Sequence, residues 1–384
     1  MVTAVRRGTS IHEVAKRFGV SRSTVQRWIQ RAAKKRLDRV DWSDRPAGRR
    51  EPINKTSGNI ESLVLGIRRD LKESSALGEY GAVAISREMK KRRVKSAPSI
   101  RTIGRVLERR GALDGRKRTR RPAPPSGWYL PDVADWQAEV DCFDIVEGLV
   151  IQGGIQVEVL NGISLRGGLV ASWPRAKITA KSTVNVLTRH WRAFGLPGCA
   201  QFDNDTVFQG PHHHPDTLGR VTRFCLSLGV TPVFTPPRET GFQAAIENFN
   251  GRWQSKVWSR FHFPSRLELL AQSNKFVTAS RRRSAERIAN APPRAPFPEA
   301  WKLDLQAPPQ GVIVFLRRTN ATGKATVLGH MFSIDRNWLN RLVRAEVDLA
   351  HDCIRFYPLR RRDPTYQPLL REAPYHFPQR KFHE

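Results

Sequence analysis

Cysteine is scarce in this 384-residue chain, with four residues (Cys142, Cys199, Cys225, Cys353) far apart and no Cys-x-x-Cys pair. That excludes a disulfide framework or a cysteine zinc site and predicts a reducing compartment. No apolar run approaches the ~20 residues that span a bilayer, and the N-terminus lacks the apolar stretch of a secretory leader. A cytoplasmic protein, of a bacterial cytoplasm or nucleoid, with no membrane partner is expected. Acidic residues are also in short supply, with 35 Asp and Glu against 66 Lys and Arg and a net charge of +31. A field of that sign and size draws in polyanions whatever the fold.

What is present argues for folded domains. Hydrophobic residues make up 39% of the chain and there are ten tryptophans, enough to bury real cores. The length suggests two to four domains. Residues 1–125 hold 33 basic and 12 acidic side chains, so this third of the chain carries 21 of the 31 net positive charges. A nucleic-acid-binding arm joined to something less basic has this asymmetry.

Residues 1–45 read as a helix-turn-helix domain. Ile11, Val14, Ala15 and Phe18 make one helical apolar face, Gly19 breaks it, and Ser21 caps a second helix that turns Val25, Trp28 and Ile29 inward. Arg22, Ser23, Gln26, Arg27 and Gln30 then face outward, the side-chain types that read base edges and phosphates in a major groove. Residues 55–114 repeat the scheme. Ile60, Leu63, Val64, Ile67 and Leu71 pattern one helix, Gly81–Val94 a second, and Ser99 caps a third whose Ile100, Ile103, Val106 and Leu107 form the buried stripe. Arg101 and Arg105 point out of it, with Arg109 and Arg110 near the same face. Residues 115–127 are a basic, proline-rich linker.

From residue 128 to 262 the pattern changes to an α/β core. Three antiparallel strands (136–146, 155–163, 166–173) precede a helix at 180–194, a strand at 198–202, a helix at 216–228, a strand at 230–235 and a long helix at 243–260. Residues 263–309 form a basic helical connector ending in a proline-rich stretch. Short strands over 310–362 predict a small β-barrel, and the tail 363–384 shows little structure.

Three acids in this core carry the chemistry. Asp141 stands in an apolar strand, Asp203 follows a later strand, and Glu247 opens a helix anchored by Ile246, Phe249 and Trp253. A carboxylate inside an apolar strand is costly without a partner, and three converging carboxylates call for a divalent cation. Open oxygen ligation suits Mg²⁺ or Mn²⁺, two ions together clamping the attacking and leaving oxygens of a phosphodiester. Asp144, three residues past Asp141, falls on the opposite strand face and reads as a solvated carboxylate, with the first-ligand role as its alternative. Glu239, the alternative to Glu247, lies in a Pro-Pro-Arg-Glu-Thr-Gly loop. His212, His213 and His214 read as a solvated loop, and Glu139 and Glu158 as exposed strand positions. Asn250 and Gln254 share the face of Glu247 and are assigned to DNA.

These residues carry a resemblance. Trp136-Gln137 before Asp141-Cys142, "FDND" with Phe208 beyond it, Gly229 opening a strand, Pro236-Pro237, and Glu247 with Asn250 on one helix resemble the integrase catalytic core of insertion-sequence transposases and retroviral integrases. This is the DDE superfamily, with an RNase H-like fold. The final strands resemble the C-terminal domain of phage Mu-type transposases. The resemblance implies Asp141, Asp203 and Glu247 as catalytic and metal-binding residues, two Mg²⁺ or Mn²⁺ ions, double-stranded DNA as substrate, a homo-oligomer on DNA and an accessory transposition protein. It implies a DNA transposase that cleaves element ends and transfers their 3′-hydroxyls to target DNA. Three departures stand out: Asp205 where the family has glycine, Gln243-Ala244 where it has Asn-Gly, and a gap from Asp203 to Glu247 some eight residues longer than usual, placed at 209–216. Asp205 and the longer gap leave an inactive DNA-binding regulator as the alternative, and a nuclease that cuts without joining is a third reading.

Overall fold

A computed structural model describes residues 1–43, 56–113, 127–211, 214–239 and 241–383. The expected linker therefore lies almost wholly outside the described residues. The chain divides into two compact units, Met1–Gly58 and Asn59–Glu384.

The first unit is helical. It comprises α1 (Val2–Arg6), α2 (Ile11–Phe18) and α3 (Arg22–Ala32). Ser10 and Glu13 form a capping box at the start of α2, and Gly19 closes it in the left-handed conformation that lets the chain turn. Ser21 caps α3 by accepting the Thr24 N–H at 3.1 Å. Val14, Ala15 and Val25 are buried where α2 and α3 meet. Phe18, expected on that apolar face, is instead 48% exposed with the Arg17 guanidinium over its ring. Ser21→Ala is expected to cost about 1 kcal/mol, read in the full chain as faster hydrogen exchange of the α3 amides.

The second unit begins with α4 (Gly58–Ser74), α5 (Ala82–Lys91) and α6 (Ile100–Arg109). Val64, Ile67, Ile85, Met89, Ile103, Val106 and Leu107 close their common core. Ser99 caps α6 as expected, but Ile100 is exposed. Glu61, buried in α4, takes both Arg109 and Arg110, so these two arginines serve the fold.

The remaining elements are α7 (Pro131–Ala134), β1 (Val140–Ile151), β2 (Ile155–Ser164), β3 (Val170–Arg175), α8 (Ala180–Phe194), β4 (Cys199–Phe202), α9 (Thr206–Gln209), α10 (Arg220–Ser227) and β5 (Thr231–Phe234). They continue with α11 (Ala244–Lys256), α12 (Arg266–Arg283), α13 (Ala285–Ala289), β6 (Val312–Arg318), β7 (Lys324–Val327), β8 (His330–Ser333), β9 (Leu342–Asp348), β10 (Cys353–Pro358) and β11 (Arg371–Pro374). Nine strands form one sheet in the order β11-β10-β9-β6-β5-β4-β1-β2-β3, and β7 pairs with β8 in a separate hairpin. Strands β1, β4, β5 and β6 run parallel, flanked by antiparallel ladders on both sides.

Alternation along the parallel strands sorts their side chains to two covered faces. Phe143, Phe202, Phe234 and Phe315 line one face, under Leu187 and Trp191 of α8 and Phe224 of α10. Cys142, Val233, Val314 and Leu316 line the other, under Ile246, Phe249 and Trp253 of α11 and Phe276 of α12. Gly162 of β2 lets the Phe143 ring lie flat on the backbone, since a Cβ there would stand 2.7 Å from its Cε1.

The small barrel expected over 310–362 is not what these strands form. β6 hydrogen-bonds β5 in parallel, through Val233↔Val314 and Phe234↔Phe315, and β9, β10 and β11 extend the same sheet. The reason is legible in "VIVFLRR": residues of both parities are apolar, as in a strand covered on both faces, whereas a small barrel strand exposes every second residue. The tail supplies an edge strand, β11, with Ala373 and Tyr375 buried against the sheet.

Candidate active site and nucleic-acid surface

Register brings two acids side by side. β1 and β4 pair in parallel through Val140↔Cys199, Asp141↔Ala200 and Cys142↔Gln201. Continuing that register sets Phe143 beside Phe202, whose rings stack at 5.7 Å between centroids, and Asp144 level with Asp203, the residue after β4. Across the sheet Asp144 also faces Asn161 of β2. Glu247 enters from the first turn of α11, which packs on β1 and β2, and is exposed.

Asp144 registers the other two carboxylates electrostatically. Burial pushes its pKa up from 3.8 to about 6, with repulsion from Asp203 and Glu247 adding to the shift. Asn250, one turn beyond Glu247, donates its Nδ2 to Asp144 Oδ2 at 2.6 Å, and its Oδ1 accepts from Asn161 Nδ2 at 2.8 Å. Asn250, assigned to DNA from its spacing, thus spends its amide on holding Asp144. Asp203 is likewise raised by burial, with Asp205 and Glu147 adding repulsion.

Asp141 lies elsewhere. It is 1% exposed, accepts the Trp191 indole N–H at 3.0 Å, and is gripped through both oxygens by Arg294 from the proline-rich stretch. The strand pleat turns it away from Asp144, towards α8. Glu139, expected to be exposed, is buried and receives the backbone N–H groups of Val140, Arg166 and Gly167. Glu158 is half-buried, and its carboxylate accepts the Ile178 N–H.

Asp205, where the resemblance led to an expectation of glycine, sits in a conformation open to any residue. Its φ of −61° needs no left-handed backbone, and its side chain caps the single turn of α9 by accepting the Val207 N–H at 2.7 Å. Its own N–H donates to Asp203 Oδ1 at 3.0 Å. Glu239 pairs with Arg318. His214 is exposed, while His212 and His213 lie outside the described residues.

Arg22, Ser23, Gln26, Arg27 and Gln30 form an exposed face of α3, and Arg101, Arg105 and Gln254 are exposed on α6 and α11. Arg22 Nε meets His12 Nδ1 at 3.1 Å, tying α3 to α2 beside that face.

Residues 1–41 match the homeodomain-like domain family. No curated protein sequence matches the chain. Among solved structures, a chain of the simian T-cell lymphotropic virus intasome in complex with PP2A regulatory subunit B56 gamma is similar at 13% identity and a TM-score of 0.34. That match covers 79% of this chain and 95% of the other. The HTLV-2 integrase catalytic core domain, solved with magnesium as a trimer, is similar at 14% identity over 41% of this chain and 86% of its own, with a TM-score of 0.28. The BIV integrase catalytic core domain is similar at 14% identity over 36% and 81%, with a TM-score of 0.27.

The donor chemistry suits a hard divalent cation: carboxylate oxygens, mutually repelling, at the mouth of parallel strands. As the side chains lie, no group of three His, Cys, Asp or Glu among the described residues is drawn tightly enough to hold an ion. The repulsion felt by Asp144 is what a bound cation would relieve. Among the described residues no helix is long and apolar enough to cross a membrane.

Proposed function

We propose that the chain is a DNA-cleaving and strand-joining enzyme of the transposase or integrase kind, with Asp144, Asp203 and Glu247 as its acidic set. The observation that carries this reading is the register of β1 on β4, which sets Asp144 level with Asp203 just past the end of β4, with Asp203 and Glu247 both close enough to add to the upward shift of Asp144. Asp144 takes the place first given to Asp141, whose oxygens are committed to Arg294 and Trp191.

Asp144, Asp203 and Glu247 would hold Mg²⁺ or Mn²⁺. When bound, such ions activate a water or a 3′-hydroxyl and stabilise the departing 3′-oxygen. The protein's own contributions are positional. Asn250 holds one oxygen of Asp144, the Asp205 N–H holds one of Asp203, and Asn204 Nδ2 ties the loop to the Thr235 carbonyl at 2.7 Å. The exposed face of α3 supplies Arg22, Ser23, Gln26, Arg27 and Gln30 to a major groove, and Arg101 and Arg105 of α6 supply a second contact. A reaction that joins two DNA ends requires more than one copy of the chain on DNA, and an accessory transposition protein fits the same reading.

Incubating the protein with duplex DNA carrying the ends of its own genetic locus, in Mg²⁺ or Mn²⁺, should yield nicked and joined products that chelation abolishes. Salt-dependent DNA binding without any product in either ion would support the inactive regulator instead. Nicked products that are never joined would support the nuclease.

A further inference from the structure

We propose that Arg317 is a ligand for a DNA backbone phosphate at the rim of the acidic site; this deepens the DNA-processing reading and rests on it. The row of strand ends places it. Phe202↔Phe234 and Phe234↔Phe315 are in register, so Asp203, Thr235 and Leu316 lie abreast, with Arg317 one residue beyond on β6. With strands about 4.8 Å apart, the Asp203 and Arg317 backbones stand about 10 Å apart. A DNA strand covers that in about three nucleotides, at about 3.4 Å of axis per step. Alternation sends the Arg317 side chain to the Phe315 face, opposite Asp144 and Asp203, and it reaches their edge of the sheet at the Thr235 carbonyl, so a strand that leaves the acids across that edge brings a nearby phosphate to it.

The side chain itself lacks a counter-charge. Its Nη1 donates to the Leu316 carbonyl at 3.0 Å and lies 3.5 Å from the Thr235 carbonyl, and the guanidinium lies 4.9 Å from the Phe315 ring centroid. Among the described residues, no carboxylate pairs with it, and Nε and Nη2 have no acceptor. The next residue differs: Arg318 is engaged by Glu239 and the Asn340 carbonyl. Burial holds Arg317 down at about 10, the mark of a cation withdrawn from water without an anion to offset it. The Thr235 carbonyl also accepts Asn204, so the arginine shares a hydrogen-bonded point with the segment that carries Asp203. A phosphate oxygen at the two unused donors would be bound in the forked geometry that guanidinium favours.

Arg317→Met tests this, because it keeps the apolar stem and removes the charge. In an Asp203→Asn background, which prevents turnover, duplex DNA should bind about tenfold more weakly at 0.1 M salt. The slope of log K against log[salt] should shrink by about 0.9, the share of one phosphate contact. The DNA-free melting temperature should hold or rise, since an unpaired buried cation is lost, and Arg317→Lys should keep most of the slope. An unchanged slope, with or without a drop in melting temperature, would make Arg317 a structural residue and overturn the proposal. So would equal protection of wild type by inorganic phosphate alone with no change in DNA binding. Failure of the wild type to cleave DNA would sink the enzymatic reading, whereas these binding measurements would still decide whether Arg317 holds a phosphate.

Discussion

Asp144→Asn should abolish DNA cleavage and joining, lowering the rate on the order of 10³–10⁴-fold, as loss of one member of a catalytic set does. Binding of duplex DNA should be nearly unchanged, because α3 and α6 are untouched. The same variant should be more stable than wild type without metal. An acid raised in the folded state weakens the fold once it ionises. For Asp144 the penalty is absent below its ordinary value near 3.8 and complete above about 6. At roughly 1.4 kcal/mol per unit, discounted for its partial access to solvent, Asp144→Asn should gain 1–2 kcal/mol at pH 7. The gain should vanish below about pH 4 and narrow when Mg²⁺ is added to wild type. Urea unfolding at pH 4 and pH 7 measures it. Full activity in Asp144→Asn would remove this carboxylate from the site.

Arg294→Ala should be among the most destabilising single changes in the chain. Asp141 is 1% exposed and its charge is answered by Arg294, with the Trp191 indole as the remaining partner. Stranding a buried carboxylate in this way costs roughly 3–5 kcal/mol. Urea midpoints would show it, and the double variant Asp141→Asn with Arg294→Ala should recover much of the loss, since neither charge is then left alone. If Arg294→Ala unfolds no more easily than wild type, the pair is not what pins the proline-rich stretch to β1.

Much of the fold was legible because local chemistry agreed with it. Ser21 and Ser99 start helices where a capping side chain followed by an apolar stripe predicts, and the helix at 180–194 runs Ala180–Phe194. What escaped sequence reading depends on neighbours far along the chain. Whether Asp141 or Asp144 stands beside Asp203 turns on the register of β1 against β4, and alternation alone fixes only which two are opposed. One signal was present: "CFDI" and "QFDN" each set an aspartate after a phenylalanine, so pairing the two rings pairs the acids. Asp141 looked catalytic because a carboxylate in an apolar strand needs a partner, and the partner proved to be an arginine 153 residues away. Glu139 is buried for the same reason, two of its three backbone donors, Arg166 and Gly167, coming from a loop nearly thirty residues on. The strands over 310–362 join the core sheet because β6 is apolar at both parities, which the number of strands does not reveal. Nothing local says that β5 still has an unfilled edge.

That edge decides how the protein tolerates being divided. A chain ending near residue 309 would leave β5 with its outer N–H and C=O groups unanswered, and Phe234 and Val233 would lose Phe315, Val314 and Leu316 beside them. Bare, flat, apolar strands of that sort recruit their own kind. Excising the acidic core by itself should therefore give insoluble material, and the last 75 residues are an inseparable portion of it, not an appendage to be traded between proteins.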